Sequence, residues 1–375
     1  MPGTDYKAGL EDVVAGTSDI CFIDGKEGRL VYRGYNVVDL AEQTSFEEVV
    51  YLLWHGDLPN QAEYAKFAAL LADNRELAEP VKGMLNGLPV DTLPMDALRT
   101  AVSLSGIYDP DGADMSDEAN YRKAVRLVAQ MPTMVAYFER HRRGQALVAP
   151  NPKLPLAENF LYMLHGTEAP ASHGHIFNTA LVLHADHELN ASTFAARVTA
   201  ATLTDLYSAI TSAVGTLKGP LHGGANEAVM HMLEEIGEES NAKTWVEDAL
   251  ANHKKIMGFG HRVYRTEDPR ATILRRFSKQ LGEEAGSLKW YNMLREIEAT
   301  IHANKELYPN VDFYSGSVYA LMGIPIEIFT PVFAMSRISG WTAHVLEQYH
   351  NNRIIRPRAE YTGPTHRSFQ ALSVR

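Results

Sequence analysis

A chain of 375 residues, 45% hydrophobic and 22% charged, can bury a large core, which excludes a disordered protein and leaves room for two domains. A formal net charge of −11 argues against nucleic acid as a partner, because a phosphate backbone needs a basic face. The single cysteine, Cys21, rules out an internal disulfide framework and fits a reducing compartment, so a cytoplasmic location is expected. Within the apolar run ICFI it reads as core filler. The opening residues MPGTDYKAGLEDVV carry no basic stretch followed by an apolar run, so no secretory signal is expected. No apolar run reaches the roughly eighteen residues that would cross a membrane, so no membrane partner is expected.

The first predicted element is a small hairpin in ICFIDGKEGRLVYRGY, where two short β-prone runs flank a Gly-rich turn. From there the chain reads as all-α. SFEEVVYLLWHG opens with Ser45 and Glu48 in capping-box register and continues at helical spacing. NQAEYAKFAALLADNRELAEP and EANYRKAVRLVAQMPTMVAYFERHRR keep that period. NASTFAARVTAATLTDLYSAITSAV keeps it too, with small residues on nearly every face, which predicts a helix buried on several sides. EIFTPVFAMSRISGWTAHVLEQYHNN is the last long helical stretch, broken by IIRPR. Gly and Ser cluster at LKGPLHGG (217–224) and YSGSVYALMG (314–323), the best candidates for domain junctions. They suggest a large helical domain of residues 1–218 and 319–375 with a small one of 219–318 that closes over a ligand.

Positive charge is concentrated in an otherwise acidic chain. Residues 251–276 hold seven Lys or Arg against two acids, and residues 353–367 hold four Arg against Glu360. A solvated face is the bland reading of such clusters, but here glycine and histidine are interleaved. In KKIMGFGHRVYRTEDPRA, His261 follows G-F-G among Arg262, Arg265 and Arg270. Glycine permits close backbone approach, arginine grips planar anions, and histidine moves protons near neutral pH. The stretch therefore reads as an anion-handling site. Three further segments stand out: LHADHELNAS with His184 and His187, three apart and so expected on one side of a helix; KGPLHGGANEA with His222; and NVDFYSG with Asp312. Each has a structural alternative: a hydrogen-bonded helix histidine for His184, a turn residue for His222, a helix cap for Asp312. Arg337 is a charge in a mostly apolar helix and needs a carboxylate or a ligand.

Two motif readings fail. DPDGADMSD at 109–117 lacks calcium-loop spacing and reads as an acidic turn. G-F-G-H-R-V lacks the third glycine of a dinucleotide fingerprint. Histidines could also supply a zinc site, but no His-Glu-x-x-His or cysteine pair occurs and the arginines would repel a cation, so no metal is expected.

LHADHELNAS, GPLHGGANEA, GFGHRVYRTEDPRA, VDFYSG and RPRAEYTG, in this order, resemble citrate synthase. GLEDVVAGTSDICFIDGKEGRLVYRGY resembles the family's opening and SFEEVVYLLWHGDLP its first long helix, so the likeness covers essentially the whole chain and is closest to the shorter bacterial and archaeal forms. The resemblance implies a mostly helical two-domain fold and condensation of acetyl-CoA with oxaloacetate, with no separate cofactor. It implies that Asp312 deprotonates the acetyl group, His222 hydrogen-bonds the thioester oxygen and His261 the ketone. It gives the oxaloacetate carboxylates to Arg270, Arg337 and Arg356 with His187 in contact, and makes the protein a homodimer in which Arg356 reaches the partner's site. Lys254, Lys255 and Arg262 are the candidates for the CoA phosphates. The nearest rival is a 2-methylcitrate synthase using propionyl-CoA; a zinc hydrolase is a remote one.

Overall fold

The structure, a computed structural model, describes residues 6–11 and 13–375; the first five residues, part of the stretch read for a leader, and Asp12 lie outside them. The expected hairpin forms from β1 (Cys21–Asp24) and β2 (Arg29–Tyr32), paired antiparallel with Cys21 opposite Tyr32 and Asp24 opposite Arg29. Asp24 Oδ1 closes its turn by accepting the N–H groups of Lys26 and Glu27, each at 3.0 Å. A third strand, β3 (Tyr35–Asn36), pairs with β2 and makes a three-stranded sheet.

The rest is helical, as predicted: α1 (Val37–Gln43), α2 (Phe46–His55), α3 (Gln61–Asp73), α4 (Glu79–Gly87), α5 (Pro94–Tyr108), α6 (Asp117–Arg142), α7 (Leu156–His165) and α8 (Ala171–His184). There follow α9 (Ala191–Ala200), α10 (Leu206–Leu217), α11 (Ala225–Ile236), α12 (Ala242–Ala251), α13 (Pro269–Glu284), α14 (Lys289–Asn304), α15 (Val311–Leu321) and α16 (Phe329–His350). The capping box at α2 is present: Ser45 Oγ accepts from Glu48 N at 3.2 Å, and Glu48 Oε2 accepts from Ser45 N at 2.6 Å. Such a cap contributes about 1 kcal/mol.

α16 is the axis of the core. It packs against α2, α5, α6, α8, α9 and α10, and residues on all its sides, from Phe329 to Val345, are buried. α6 passes beside it and runs unbroken through Pro132. A second group, α11 to α15, packs mainly within itself, α13 on α14 and α15, α11 on α15, α12 on α14. It joins the first through the turn after α10 and through residues 322–328.

Four predicted elements need correction. The run from Asn60 to Pro80 is not one helix: α3 stops at Asp73, and buried Arg75 then donates to the carbonyls of Asn151 and Leu154, both at 2.8 Å. The small-residue run of 190–214 is two helices, split where Leu203 takes a left-handed backbone (φ 62) and Asp205 caps α10. His187 is not on a helix with His184, because α8 ends at His184. The junction expected at 314–323 is helical through Leu321; the chain breaks only at Met322 and Gly323.

Candidate active site

α8 ends by donating His184 Nδ1–H to the carbonyl of Ala180 at 2.7 Å, while the His184 carbonyl accepts Arg337 Nε–H of α16 at 2.7 Å. His184 is fully buried, and burial holds its imidazole down at about 3, so it is a neutral anchor. The next residues carry His187 into the site before Asn190 caps α9 by accepting from Thr193 N at 3.2 Å. His187 Nε2 lies 3.3 Å from the Tyr264 hydroxyl, and its ring stands edge-on to His261 with centroids 5.1 Å apart.

His222 sits on the turn that leaves α10, its N–H donating to Gly219 O at 2.9 Å. Gly223 beside it has no alternative: a Cβ there would stand 2.1 Å from the Leu217 carbonyl oxygen. Ser192 N–H donates to His222 Nε2 at 3.2 Å, and the Ser192 hydroxyl lies 2.8 Å from the same nitrogen. Trp341 Nε1–H donates to Ser192 Oγ at 3.0 Å and the Ser192 hydroxyl donates to Asn190 Oδ1 at 2.8 Å, so the donor aimed at His222 Nε2 is the Ser192 backbone N–H. Nε2 is therefore the acceptor and Nδ1 carries the proton.

His261 and Asp312 are joined by backbone. Gly260 N–H donates to Tyr308 O at 3.0 Å and Asn310 N–H to Gly258 O at 2.9 Å, an antiparallel bridge beside α15. Gly258 has φ 79, and a Cβ there would stand 2.8 Å from the Phe313 Cβ. Asn310 caps α15 by accepting from Asp312 N at 3.0 Å and holds the loop by donating Nδ2 to Gly260 O at 3.0 Å. Thus the helix cap foreseen as the structural alternative for Asp312 belongs to Asn310. His261 Nδ1 accepts from Val263 N at 3.0 Å and Tyr264 N at 3.2 Å, so its proton is on Nε2.

Two arginines complete the set. Arg270, 2% exposed, forks onto Asp268, Nε to Oδ1 at 2.9 Å and Nη2 to Oδ2 at 2.7 Å. Arg337, also 2% exposed, has no carboxylate within ion-pair distance among the described residues; it bonds one carbonyl through Nε and stands over Phe333 at 4.6 Å. Burial lowers its pKa from the ordinary value. His187, His222, His261, Arg270, Arg337 and Asp312 all line one cavity of about 450 Å³. Burial, with Arg337 near His222 and Arg270 near His261, brings both imidazoles down to about 4, and His187 is held well below the ordinary value. Burial raises the Asp312 carboxyl to about 6 against the pull of Arg270 and Arg337. Near neutral pH these six side chains therefore supply two guanidinium cations, three neutral imidazoles and a carboxylate of raised basicity. That set suits a dianionic substrate and proton abstraction beside a carbonyl.

The remaining predicted residues stand apart from this group or at its edge. Lys255 and Arg262 line the cavity. Lys254 does not; it pairs with Glu235 at 2.7 Å and stands 4.7 Å above the Trp245 ring. Arg356 is exposed and outside the lining. Sequence reasoning missed Ser192, Trp341, Tyr264 and Asp268. Only Asp268 carried a local signal, an aspartate before proline at a helix start.

The class defined by this fold and site is a helical acyl-CoA condensing enzyme, and the chain belongs to the citrate synthase family. The family described as "Citrate synthase, C-terminal domain" matches residues 9–358. Citrate synthase 2 of Bacillus subtilis (strain 168) is 52% identical, covering 98% of this chain and 98% of that protein. A 2-methylcitrate synthase of Mycobacterium tuberculosis (strain H37Rv) is 45% identical over 96% of this chain and 91% of its own. The citrate synthase of Thermoplasma acidophilum, solved as a ternary complex with carboxymethyl coenzyme A and oxaloacetate, superposes with a TM-score of 0.93 at 36% identity, covering 98% of this chain and 99% of that one.

Proposed function

We propose that this cavity condenses acetyl-CoA with oxaloacetate and hydrolyses the resulting thioester to citrate and CoA. The observation that carries the reading is Arg337, a buried cation without a carboxylate partner among the described residues, facing neutral imidazoles and a carboxyl of raised pKa. A cation left so deep costs several kcal/mol unless an anion joins it. The carboxylates of oxaloacetate supply that anion, held by Arg337 and the free edge of Arg270 with His187 alongside. Asp312 takes a proton from the acetyl methyl, and His222 Nδ1–H donates to the thioester oxygen as negative charge gathers there. The new carbanion attacks the ketone carbon, and His261 Nε2–H passes its proton to the forming alkoxide. Water then adds to the thioester carbonyl and returns a proton to His261 Nε2, and the CoA thiolate leaves and takes the proton held by Asp312. Every step is proton transfer or carbonyl addition, so the scheme calls for no metal or prosthetic group.

Arg356, exposed in the single chain, is assigned to the partner's site in a homodimer. Residues 219–318 form the small domain that closes on the large one, with Lys255 and Arg262 near the CoA phosphates; the ion pair of Lys254 leaves it a lesser part. The protein is assigned to the cytoplasm. Thiol release from acetyl-CoA with oxaloacetate, in EDTA, tests the function. Turnover that depends on both substrates and survives the chelator is expected, and loss with chelator would revive the zinc hydrolase. Comparing kcat/KM for acetyl-CoA and propionyl-CoA tests the acyl group, where one methylene is worth about 1–3 kcal/mol. A preference for propionyl-CoA would make the activity that of a 2-methylcitrate synthase. Mixing Arg356→Ala and His261→Ala subunits should partly restore turnover if the site is shared; no recovery would place Arg356 outside it.

A further inference from the structure

One buried carboxylate in the site does more than pair a cation. Asp268 is 1% exposed and accepts four hydrogen bonds. Oδ1 accepts Arg270 N–H at 3.0 Å, which caps α13, and Arg270 Nε–H at 2.9 Å. Oδ2 accepts Arg270 Nη2–H at 2.7 Å and, from another helix, Val311 N–H at 3.2 Å. Val311 is the first residue of α15 and precedes Asp312. Helix-start N–H groups have no partner within their own helix, so this bond fixes where α15 begins. We propose that Asp268 is a positioning residue that ties the oxaloacetate clamp to the base, its single carboxylate holding both the Arg270 guanidinium and the first N–H of the helix bearing Asp312.

This rests on the reading of Arg270 as clamp and Asp312 as base, and adds what joins them. With oxaloacetate on Arg270, any shift of the guanidinium acts through Asp268 on the start of α15. The carboxylate also offsets the guanidinium charge. Arg270 lowers the pKa of Asp312 and Asp268 raises it, so the pair leaves the base close to the value set by burial. The other charged group acting on Asp312 is Arg337 of α16, and His222 and His261 share its cavity. On elements packed against α15, Glu227 of α11 is bonded to Thr330, Glu298 of α14 to Arg275, Arg295 and Tyr314, and Glu327, before α16, is exposed.

The test compares Asp268→Asn and Asp268→Glu with the unaltered enzyme, reading kcat, KM for oxaloacetate and the acid limb of the kcat–pH profile. An asparagine keeps one acceptor but points an NH2 at donors. KM for oxaloacetate is expected to rise, and kcat to fall, by about tenfold or more, since a lost charge-assisted bond costs more than 1.4 kcal/mol. The acid limb should move to lower pH, because Arg270 then acts on Asp312 unopposed. Asp268→Glu, which keeps the charge, should leave the limb in place while disturbing KM. A structural role alone would not move the limb, so Asp268→Asn with an unmoved limb overturns the proposal, whatever its KM or kcat. Should Asp268→Asn not fold, Asp268→Ser, which can still cap α13, is read by the same criteria. Loss of the fold in both would overturn it in favour of a purely structural carboxylate. The underlying reading fails separately, if Asp312→Asn turns over normally.

Discussion

Arg337, His187 and Ser192 reach the cavity from the α8–α9 and α16 side, where each is at most 8% exposed and bonded to neighbouring backbone or side chains. His222, His261 and Asp312 reach it from turns and a helix start on the α11–α15 side, and all three are only half-buried. The first wall is packed into the core, and its groups cannot shift without disturbing α16. The second hangs from Gly-rich segments joined to the core through two connections. On the proposed reading the packed wall contributes Arg337 and His187 to the oxaloacetate clamp, while the second contributes the bond-making groups together with Arg270 of α13.

Changes to clamp residues and to bond-making residues should therefore differ in which kinetic constant they move. On the second wall, Asp312→Asn removes the base and should lower kcat by about a thousandfold or more with oxaloacetate affinity, read by calorimetry, nearly unchanged. A loss under tenfold would break the assignment. The same variant should be harder to unfold. Folded Asp312 keeps its proton up to about 6 rather than the ordinary 3.8, so its charge destabilises the fold as pH rises through that window. At pH 7 and above the gain should be on the order of 1–3 kcal/mol, seen as a higher Tm.

Arg337→Gln on the packed wall should raise KM for oxaloacetate about a hundredfold and lower kcat much less. A pure kcat defect would blur the two walls into one. Ser192→Ala sharpens the comparison, since the serine belongs to the packed wall but sets the His222 proton on the other. The backbone N–H that donates to His222 Nε2 survives in this variant and keeps the Nδ1–H tautomer, so kcat should drop only about threefold with KM for oxaloacetate unmoved. The smallest effect is on stability in acid. The unfolded chain binds protons on ordinary imidazoles from 6.5 downward, whereas His222 and His261 refuse them until about 4. Stability should fall as pH drops through that interval, and substituting asparagine for His222 should soften the slope of Tm against pH.

Much of this was legible in the sequence because the information was local. The Ser45–Glu48 box, the β1–β2 turn and the helical period through Pro132 each depend on neighbours a few residues away, and each formed as read. β3 is two residues long and shows no alternation from which to predict it. The α9–α10 break lies inside a stretch rich in Ala, Ser and Thr, where the periodicity continues although Asp205 caps a new helix. The Gly-Ser run of 314–323 resembles a linker, yet it is helical because Gly316 packs against Asn226 and Met230, and a Cβ there would meet both at 3.0 Å. At the site, six of the residues that stood out in the sequence share one cavity, whereas Lys254 and Arg356 lie outside its lining. What could not be read were the partners from distant segments: Trp341 behind Ser192, Val311 on Asp268, and Glu235, which occupies Lys254.

On the proposed reading a carboxylate of raised basicity acts among neutral imidazoles. Its most direct test is kcat for CoA release at saturating oxaloacetate and acetyl-CoA, measured from about pH 4.5 to about pH 8. The rate should climb through about pH 6 as Asp312 loses its proton, then level off with the histidines already neutral. A rate that is flat down to the acid end, or that falls as pH rises through 6, would contradict it.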